Sequence, residues 1–253
     1  MQSSILQGCA TTAASYVQLL GAAGFCDLLF TDPPFCLLTR RRPGGDLRDP
    51  KPRARKNDAP GVRRFENAAA YASFSRAWLQ HALPRVRPAG HAVVFTNALG
   101  RPPLLAAAAA HGFTLRAAVP WAKAPGARGD AASETLLRVY EWALVLSRAP
   151  PLPPPPPLQS APPSLASGSL AVVSGFHDTP GAPHAHPHAK PFAALAPFLR
   201  EFSQPGDVVV DCFAGSGAIP CAAAALGRVG LGMELSAANV ASAKERLKIQ
   251  QQS

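Results

Sequence analysis

The sequence predicts an α/β domain with a mostly parallel sheet and helices on both faces, and three observations support this. Short apolar segments of strand length alternate with segments of helical spacing. Apolar residues make up 47% of the 253-residue chain, so it can bury a large core. Two unusual segments, TDPPF and CFAGSG, follow predicted strands. In open α/β sheets, ligands bind at such carboxyl ends of strands.

The first predicted unit is a strand, a short helix and a strand, with the sequences SILQGC, TTAASYVQLLGAA and CDLLFTD. A longer helix is predicted over FENAAAYASFSRAWLQHALPRV, because Tyr71, Phe74, Trp78 and Leu79 recur at helical spacing. The strand GHAVVFTN follows, and then the helix RPPLLAAAAAHG, with proline in its first turn and glycine after its end. FTLRAAVPWAK and YEWALVLS are predicted strands with no helix between them.

Residues 149–185 interrupt this alternation, since PPLPPPPPLQSAPPS is polyproline and cannot form a packed core. The pattern resumes with a helix over 187–203, the strand DVVVDCF, a helix over 216–227, the strand VGLGMEL and a last helix from Ser236. We therefore expect one domain, 1–253, with a polar, basic loop at 36–64 and a proline-rich linker at 149–185.

The charge of the chain points to a polyanionic partner. Its formal net charge is +10 and its pI about 10.0, which favours nucleic acid as the partner. A surface that is merely basic is the alternative. Residues 39–64 carry ten Arg and Lys against three Asp, directly after TDPPF. We expect phosphate contacts from Arg40, Arg41, Arg42, Arg48, Lys51, Arg53, Arg55, Lys56, Arg63 and Arg64. A solvated loop or a localisation signal is the alternative for this segment.

Cysteine usage and hydropathy suggest the compartment. The five cysteines form no CxxC pair, which favours buried thiols in a reducing, intracellular compartment over a disulfide or zinc framework. That compartment is the cytoplasm or nucleoid of a bacterium, or the nucleus of a eukaryote. No apolar run reaches the ~18 residues of a membrane span, so no membrane contact is expected. Histidines at 177, 184, 186 and 188 have no nearby cysteine and no nearby cluster of acids, and we expect no metal there.

DVVVDCFAGSGAIP predicts a buried strand that runs into a glycine-rich turn and a helix. Gly215 and Gly217 permit positive φ and close approach of a ligand to the backbone. Glu234 ends the next strand, where an acid can hold ribose hydroxyls. The third glycine of dinucleotide binders is replaced by Pro220. These features favour a nucleoside cofactor over a tight turn beside a solvated Glu234.

GDVVVDCFAGSGAIPCAAAALGRVGLGMEL, preceded by HPHAKPFAALAPFLREFSQPGD, resembles the cofactor half of S-adenosylmethionine-dependent amino methyltransferases. Those enzymes modify exocyclic amines of DNA bases. TDPPF resembles their catalytic [DNS]PP[YFW] motif, and its position before FAGSG is the order of their β group. WAK and VYEWALVLS resemble two further strands of the family. The likeness covers 3–248 outside the basic loop and the linker. It implies a Rossmann-like methyltransferase fold with a seven-stranded sheet and permuted motif order.

The resemblance also implies S-adenosyl-L-methionine as the cofactor and assigns residues to the site. The catalytic set is Asp32, Pro33, Pro34 and Phe35. The cofactor-binding set is Gly8, Cys9, Lys190, Pro191, Asp211, Cys212, Phe213, Gly215, Gly217 and Glu234. Where Cys9 stands the family often has an Asp that contacts the adenine of the cofactor, and Cys accepts that hydrogen bond poorly.

A base amine is a poor nucleophile because its lone pair is delocalised into the ring. Asp32 and the carbonyl of Pro33 can accept its two hydrogens and concentrate that lone pair on nitrogen. Phe35 can stack on a base that has been flipped out of the duplex. The expected function is methylation of an exocyclic base amine, with adenine N6 in DNA favoured by family association. Cytosine N4, RNA, or a catalytically silent nucleic-acid-binding subunit are the alternatives.

The slot in which sequence-specific family members carry a recognition region holds only the linker at 149–185. Such a composition is too poor in apolar groups to fold alone. The sequence therefore leaves two sources of target recognition open, a protein partner and a second copy of the chain, beside an enzyme of weak specificity.

Overall fold

The computed structural model describes residues 1–21, 24–39, 63–122, 140–148 and 190–252. Its sheet contains β1 (Ser4–Gln7), β2 (Cys26–Thr31), β3 (Val86–Thr96), β4 (Thr114–Ala122), β5 (Tyr140–Ser147), β6 (Val208–Asp211) and β7 (Val229–Glu234). The strand order is β1-β7-β6-β2-β3-β5-β4. Neighbouring strands are parallel except at β5, which is antiparallel to both β3 and β4. The predicted mostly parallel, seven-stranded sheet is confirmed.

The antiparallel direction of β5 agrees with the sequence pattern. Parallel neighbours need a crossover connection, usually a helix, whereas antiparallel neighbours do not. The sequence predicts no helix between FTLRAAVPWAK and YEWALVLS, and these segments pair as antiparallel strands from Thr114 opposite Ser147 to Ala122 opposite Tyr140.

Helices cover both faces of the sheet, as predicted. Their bounds are α1 (Ala13–Leu20), α2 (Ala68–Ala82), α3 (Arg101–Ala109), α4 (Phe192–Phe202), α5 (Ala218–Ala225) and α6 (Ala237–Gln252). Successive residues of a strand point to opposite faces. On β2, Leu29 therefore packs in the core beneath α1, α2 and α3, whereas Leu28 and Phe30 pack beneath α4 and α5. The sixth helix packs against β1 and α5.

The helix predicted over residues 65–86 ends early. An Asn67 side chain caps the start of α2 by accepting a hydrogen bond from the Ala70 N–H at 2.9 Å. After Ala82 the chain forms a 3₁₀ turn, Leu83–Arg85, with Pro84 in its first positions. From Val86 it is already in β3, four residues before the predicted strand. Proline lacks the N–H that an α-helix would need at this point, so it ends α2 and leaves the chain free to enter the sheet.

Close packing of α5 on β7 explains how Pro220 replaces the third glycine. A Cβ added at Gly230 would lie 2.2 Å from the carbonyl oxygen of Pro220, and one added at Gly232 would lie 3.0 Å from its ring. The glycines that let helix and strand approach therefore lie on the strand. Among the described residues, no helix combines the length and apolar character required to cross a bilayer.

Candidate active site

The two motifs leave the sheet side by side. β2 and β6 are parallel neighbours, with Leu28 opposite Val209 and Leu29 opposite Val210. TDPPF and CFAGSG therefore begin at the same edge of the sheet. The hydroxyl of Thr31 donates a hydrogen bond of 2.7 Å to Oδ1 of Asp211. The N–H of Phe213 donates to the same oxygen at 3.0 Å. The carboxylate of Asp211 thus joins the end of β2 to the start of the glycine turn.

Asp211 is a buried acid among other acids. It is 2% exposed, and burial raises its pKa to about 7, with the Asp32 and Glu234 carboxylates adding to the rise. The hydrogen bonds from Thr31 and Phe213 favour the ionised form and lower the pKa, but they do not offset burial. The sequence predicts Asp211 as a cofactor-binding residue. The structure shows its side chain linking the end of β2 to the glycine turn, and its contact with a cofactor stays a prediction.

The raised pKa of Asp211 predicts a loss of stability as pH rises. Between the ordinary aspartate pKa of about 4 and about 7, the folded state binds more protons than the unfolded state, so the free energy of unfolding falls across this window. In Asp211→Asn the fall between pH 5 and pH 8 should be smaller by roughly 2 to 3 kcal/mol. Urea unfolding at each pH measures the free energy of unfolding of the wild type and of Asp211→Asn. Equal pH dependence of the two would contradict the assignment.

The glycine turn is open on one side and held by Glu234 on the other. Gly215 has φ +50° and Gly217 φ +78°, a region that other residues enter only with strain. A Cβ added at Gly215 would meet its nearest neighbour, the Phe213 carbonyl oxygen, only at 4.0 Å. Ligand atoms can therefore approach the backbone there. The N–H of Gly215 donates to Glu234 Oε2 at 3.0 Å, and the N–H of Ser236 donates to Oε1 at 2.9 Å.

The end of β1 lies beside the end of β7, which carries Glu234. The N–H of Gly8 donates to the carbonyl oxygen of Glu234 at 3.0 Å. Cys9 is half-buried; its thiol lies 3.1 Å from the Thr11 hydroxyl, and its N–H donates to the Ser15 hydroxyl at 2.9 Å. The structure thus brings Gly8, Cys9 and Glu234 together.

Two residues of the predicted cofactor set have side chains that pack in the core. The thiol of Cys212 accepts a hydrogen bond from the Tyr16 hydroxyl at 3.4 Å, and burial raises its pKa. The ring of Phe213 stands edge-on to Trp78 at 5.3 Å between centroids. Contacts of Cys212 with a ligand would therefore have to come from its backbone.

Lys190 lies against Asp32, the predicted catalytic acid. Its Nζ forms an ion pair with Oδ2 of Asp32 and a second with Oε2 of Glu141 at 3.2 Å. Burial lowers the pKa of Lys190, but the two carboxylates outweigh that effect and raise it, so the side chain is an ammonium. Its Nζ also lies over the rings of Phe35, Phe95 and Trp121, at 5.5, 4.8 and 5.5 Å from their centroids.

The sequence predicts Lys190 as a cofactor neighbour, and the structure shows it bound to Asp32. Pro191, which follows Lys190, is the N-cap residue of α4. Glu141 is absent from the predicted site. An acid within the apolar strand YEWALVLS is the signal that could have found it, because a buried acid requires a partner.

The loop that carries Asp32 is anchored where it leaves the site. Pro33 is buried, and Asp32, Pro34 and Phe35 are partly exposed. The carbonyl of Cys36 accepts a hydrogen bond of 3.0 Å from the Asn97 amide, which follows the neighbouring strand β3. Oδ1 of Asn97 accepts from the Gly100 N–H at 2.8 Å, which fixes the orientation of the amide.

The basic loop begins and ends beside this anchored segment. Leu38 and Phe65 form a parallel bridge, and the N–H of Phe65 donates to the Leu37 carbonyl at 2.8 Å. Arg64 donates to the Leu38 carbonyl at 3.3 Å, and the guanidinium of Arg63 lies 4.3 Å from the Phe74 ring centroid. Outside the described residues lie Arg40, Arg41, Arg42, Arg48, Lys51, Arg53, Arg55 and Lys56, the proline-rich linker and the clustered histidines.

Several solved structures share this fold. The M1.HpyAVI–SAM complex superposes with a TM-score of 0.61 at 20% identity, over 97% of this chain and 100% of that one. TTHA0409 of Thermus thermophilus, described as a DNA modification methylase, gives 0.61 at 22% identity over 98% and 95%. The cytosine-N4-specific PvuII DNA methyltransferase gives 0.65 at 15% identity over 100% and 92%.

These likenesses support the Rossmann-like methyltransferase fold expected from the sequence. A family model described as DNA methylase, of the N6/N4 type, matches residues 26–245, which include both motifs, Lys190 and Glu141. The resemblance found in the sequence is thereby confirmed, and the chain belongs to the N6/N4 DNA methylase family.

Proposed function

We propose that this protein transfers a methyl group from S-adenosyl-L-methionine to an exocyclic amine of a DNA base, and that adenine N6 is its target. The observation that carries the proposal is the hydrogen-bonded link from Thr31 through Asp211 to Phe213. That link holds the strand end bearing Asp32 beside the glycine turn. A base amine at Asp32 and a cofactor at the turn would then be neighbours.

The residues around the turn fit this cofactor. The open side of Gly215 admits ligand atoms, and the Glu234 carboxylate stands where ribose hydroxyls can donate to it. Within the described part of the chain, the carboxylates of Asp32 and Glu141 face the ammonium of Lys190, and the partly ionised Asp211 adds further negative charge, so the surroundings favour a cationic ligand. When bound, S-adenosylmethionine supplies the sulfonium methyl group that is transferred.

The chain's own residues prepare the amine. The carboxylate of Asp32 and the carbonyl of Pro33 accept its two hydrogens, which concentrates the lone pair on nitrogen. Prolines fix φ, so the Pro33 carbonyl is held by a rigid segment. Phe35 offers a ring face for the flipped base. The methylated amine loses its proton readily, so Asp32 acts as an acceptor rather than as a strong base.

Two other parts of the chain complete the proposal. The basic loop, whose ends are anchored beside the catalytic segment, is proposed to track DNA phosphates. Target recognition is proposed to come from a protein partner or from a second copy of the chain. All five cysteines are free thiols, which suits a reducing compartment inside the cell.

Nucleoside analysis tests the target. The full chain is incubated with methyl-labelled cofactor and matched duplex DNA, single-stranded DNA and RNA, and the products are digested and separated. We expect label in N6-methyldeoxyadenosine, because the motif is DPPF rather than SPPF. Label in N4-methylcytosine would overturn the choice of adenine, and label only in RNA nucleosides would overturn the choice of DNA.

A catalytically silent DNA-binding subunit is the second candidate. It is favoured by Cys9, which stands where an acid contacts the adenine of the cofactor in the family and whose thiol lies beside Thr11. Cofactor binding measured by calorimetry on the isolated chain discriminates the two functions. Binding accompanied by methyl transfer supports the enzyme, whereas absence of binding supports the silent subunit.

A further inference from the structure

The Asp32–Lys190–Glu141 cluster joins three separate parts of the fold. Asp32 follows β2, Glu141 lies on β5, and Lys190 precedes α4. The lysine side chain is 7% exposed, Glu141 10% and Asp32 23%. Exposure therefore decreases from the acid at the site to the lysine behind it. The ammonium is enclosed by the two carboxylates and by the rings of Phe35, Phe95 and Trp121.

Such a buried ammonium is costly unless paired, and a buried ion pair adds little stability over apolar packing of the same shape. Stability alone therefore gives no reason to direct the lysine at the acid proposed to accept the base amine. A reason exists if Asp32 must stay charged and in one orientation. Burial and like charges oppose ionisation of a carboxylate, and a neighbouring cation restores it.

We infer that Lys190 is a positioning residue for methyl transfer, which keeps the Asp32 carboxylate charged and fixes its orientation, and that Glu141 holds Lys190 in place. Glu141 is itself held in the sheet, where its neighbour Trp142 pairs with Thr96 of β3. The inference deepens the proposed function and rests on it. It replaces the cofactor contact that the sequence predicts for Lys190.

Removing the ammonium has a defined electrostatic consequence. Among the described residues, the titratable groups around Asp32 include Lys190 before α4, Glu141 on β5, Asp211 on β6 and Tyr71 on α2. Lys190 is the cation of this described set. Without it, Asp32 faces Glu141 and Asp211, so its pKa should rise by about one pH unit or more. The acid limb of the rate profile should move to higher pH by the same amount.

Lys190→Met tests this coupling in two ways. Carboxyl ¹³C titration of the cofactor-free protein, with the Asp32 signal assigned by its loss in Asp32→Asn, should show the upward pKa shift directly. The pH dependence of kcat should show the same shift, while cofactor affinity stays within about threefold. A rate reduced equally at every pH with an unmoved Asp32 titration would overturn the inference. So would a cofactor affinity weakened by about tenfold without that movement.

Matched variants separate charge from packing. Lys190→Arg keeps the cation and should return the Asp32 titration toward the wild-type value. Glu141→Gln weakens the contact that holds Lys190, so it should slow methyl transfer. Because it removes a negative charge, it should not move the acid limb of the rate profile to higher pH. If Lys190→Met fails to fold because two buried carboxylates then face each other, Lys190→Met combined with Glu141→Gln removes that repulsion. An unmoved Asp32 titration in that double variant would also contradict the inference.

The proposed function and the proposed role of Lys190 can be disproved separately. If the wild-type protein transfers no methyl group to any nucleic acid, the proposed function fails. The titration of Asp32 in the cofactor-free protein still decides whether Lys190 controls its charge. If transfer is normal and the titration of Asp32 is the same with and without the ammonium, the proposed function stands and the role of Lys190 is wrong.

Discussion

Replacing Asp32 by alanine should lower the rate of methyl transfer by about a thousandfold or more, whereas cofactor affinity stays within a few fold of wild type. The carboxylate is the only side-chain acceptor that the DPPF segment offers to the base amine. Without it the lone pair remains delocalised in the ring. The glycine turn is held by Glu234 and Asp211, so it does not depend on Asp32.

Single-turnover transfer from labelled cofactor, with a calorimetric binding constant, measures the two quantities separately. Asp32→Asn is the matched control, because it keeps the size and one acceptor oxygen and removes the charge. It should transfer faster than Asp32→Ala and slower than wild type. Turnover of Asp32→Ala comparable to wild type, in a protein with an unchanged circular dichroism spectrum, would mean that the acceptor role belongs to another group.

Most of the fold could be predicted because its signals are local. The alternating strand and helix patterns predicted every strand of the sheet. The absence of a helical pattern between the last two strands before the linker agrees with their antiparallel pairing. Both motifs were also visible, since each occupies a few consecutive residues at a strand end. Ligands bind at the carboxyl ends of strands in parallel sheets, so both motifs were expected at the same edge. The pairing of β2 with β6 makes the two motifs neighbours there.

The contacts of the charged groups could not be predicted, since they join residues far apart in the chain. Lys190 reaches Asp32 across 158 positions, and nothing in HPHAKP indicates an acid as its partner. The same holds for Asp211, whose partner Thr31 lies 180 positions away. Periodicity indicates which face of a strand is buried, but it does not indicate which polar groups meet at the edge of the sheet.

A single residue moved one element boundary. Pro84 ends the helix that apolar spacing alone extends to Val86, so a backbone property outweighed side-chain periodicity there. Packing explains a departure from the glycine pattern instead. Gly230 and Gly232 on β7 supply the close helix–strand approach that a third glycine in the turn would have supplied.

Replacing Glu234 by alanine should weaken cofactor binding by roughly 10- to 100-fold, the effect of losing one or two hydrogen bonds to a charged group. The variant loses the acceptor proposed for the ribose. It also loses the bonds from the Gly215 and Ser236 N–H groups, which hold the turn in its binding conformation. Calorimetric titration of S-adenosylmethionine into the protein free of DNA measures this without any catalytic step.

Glu234→Gln separates the two contributions. Its amide oxygen can still accept from the Gly215 N–H, whereas its NH₂ group cannot accept from a ribose hydroxyl or from the Ser236 N–H. If the ribose contact dominates, Glu234→Gln should bind nearly as weakly as Glu234→Ala. If the turn contact dominates, Glu234→Gln should bind nearly as well as wild type. Wild-type affinity in Glu234→Ala itself would mean that the nucleoside lies elsewhere, and the assignment of the glycine turn as the cofactor site would then be wrong.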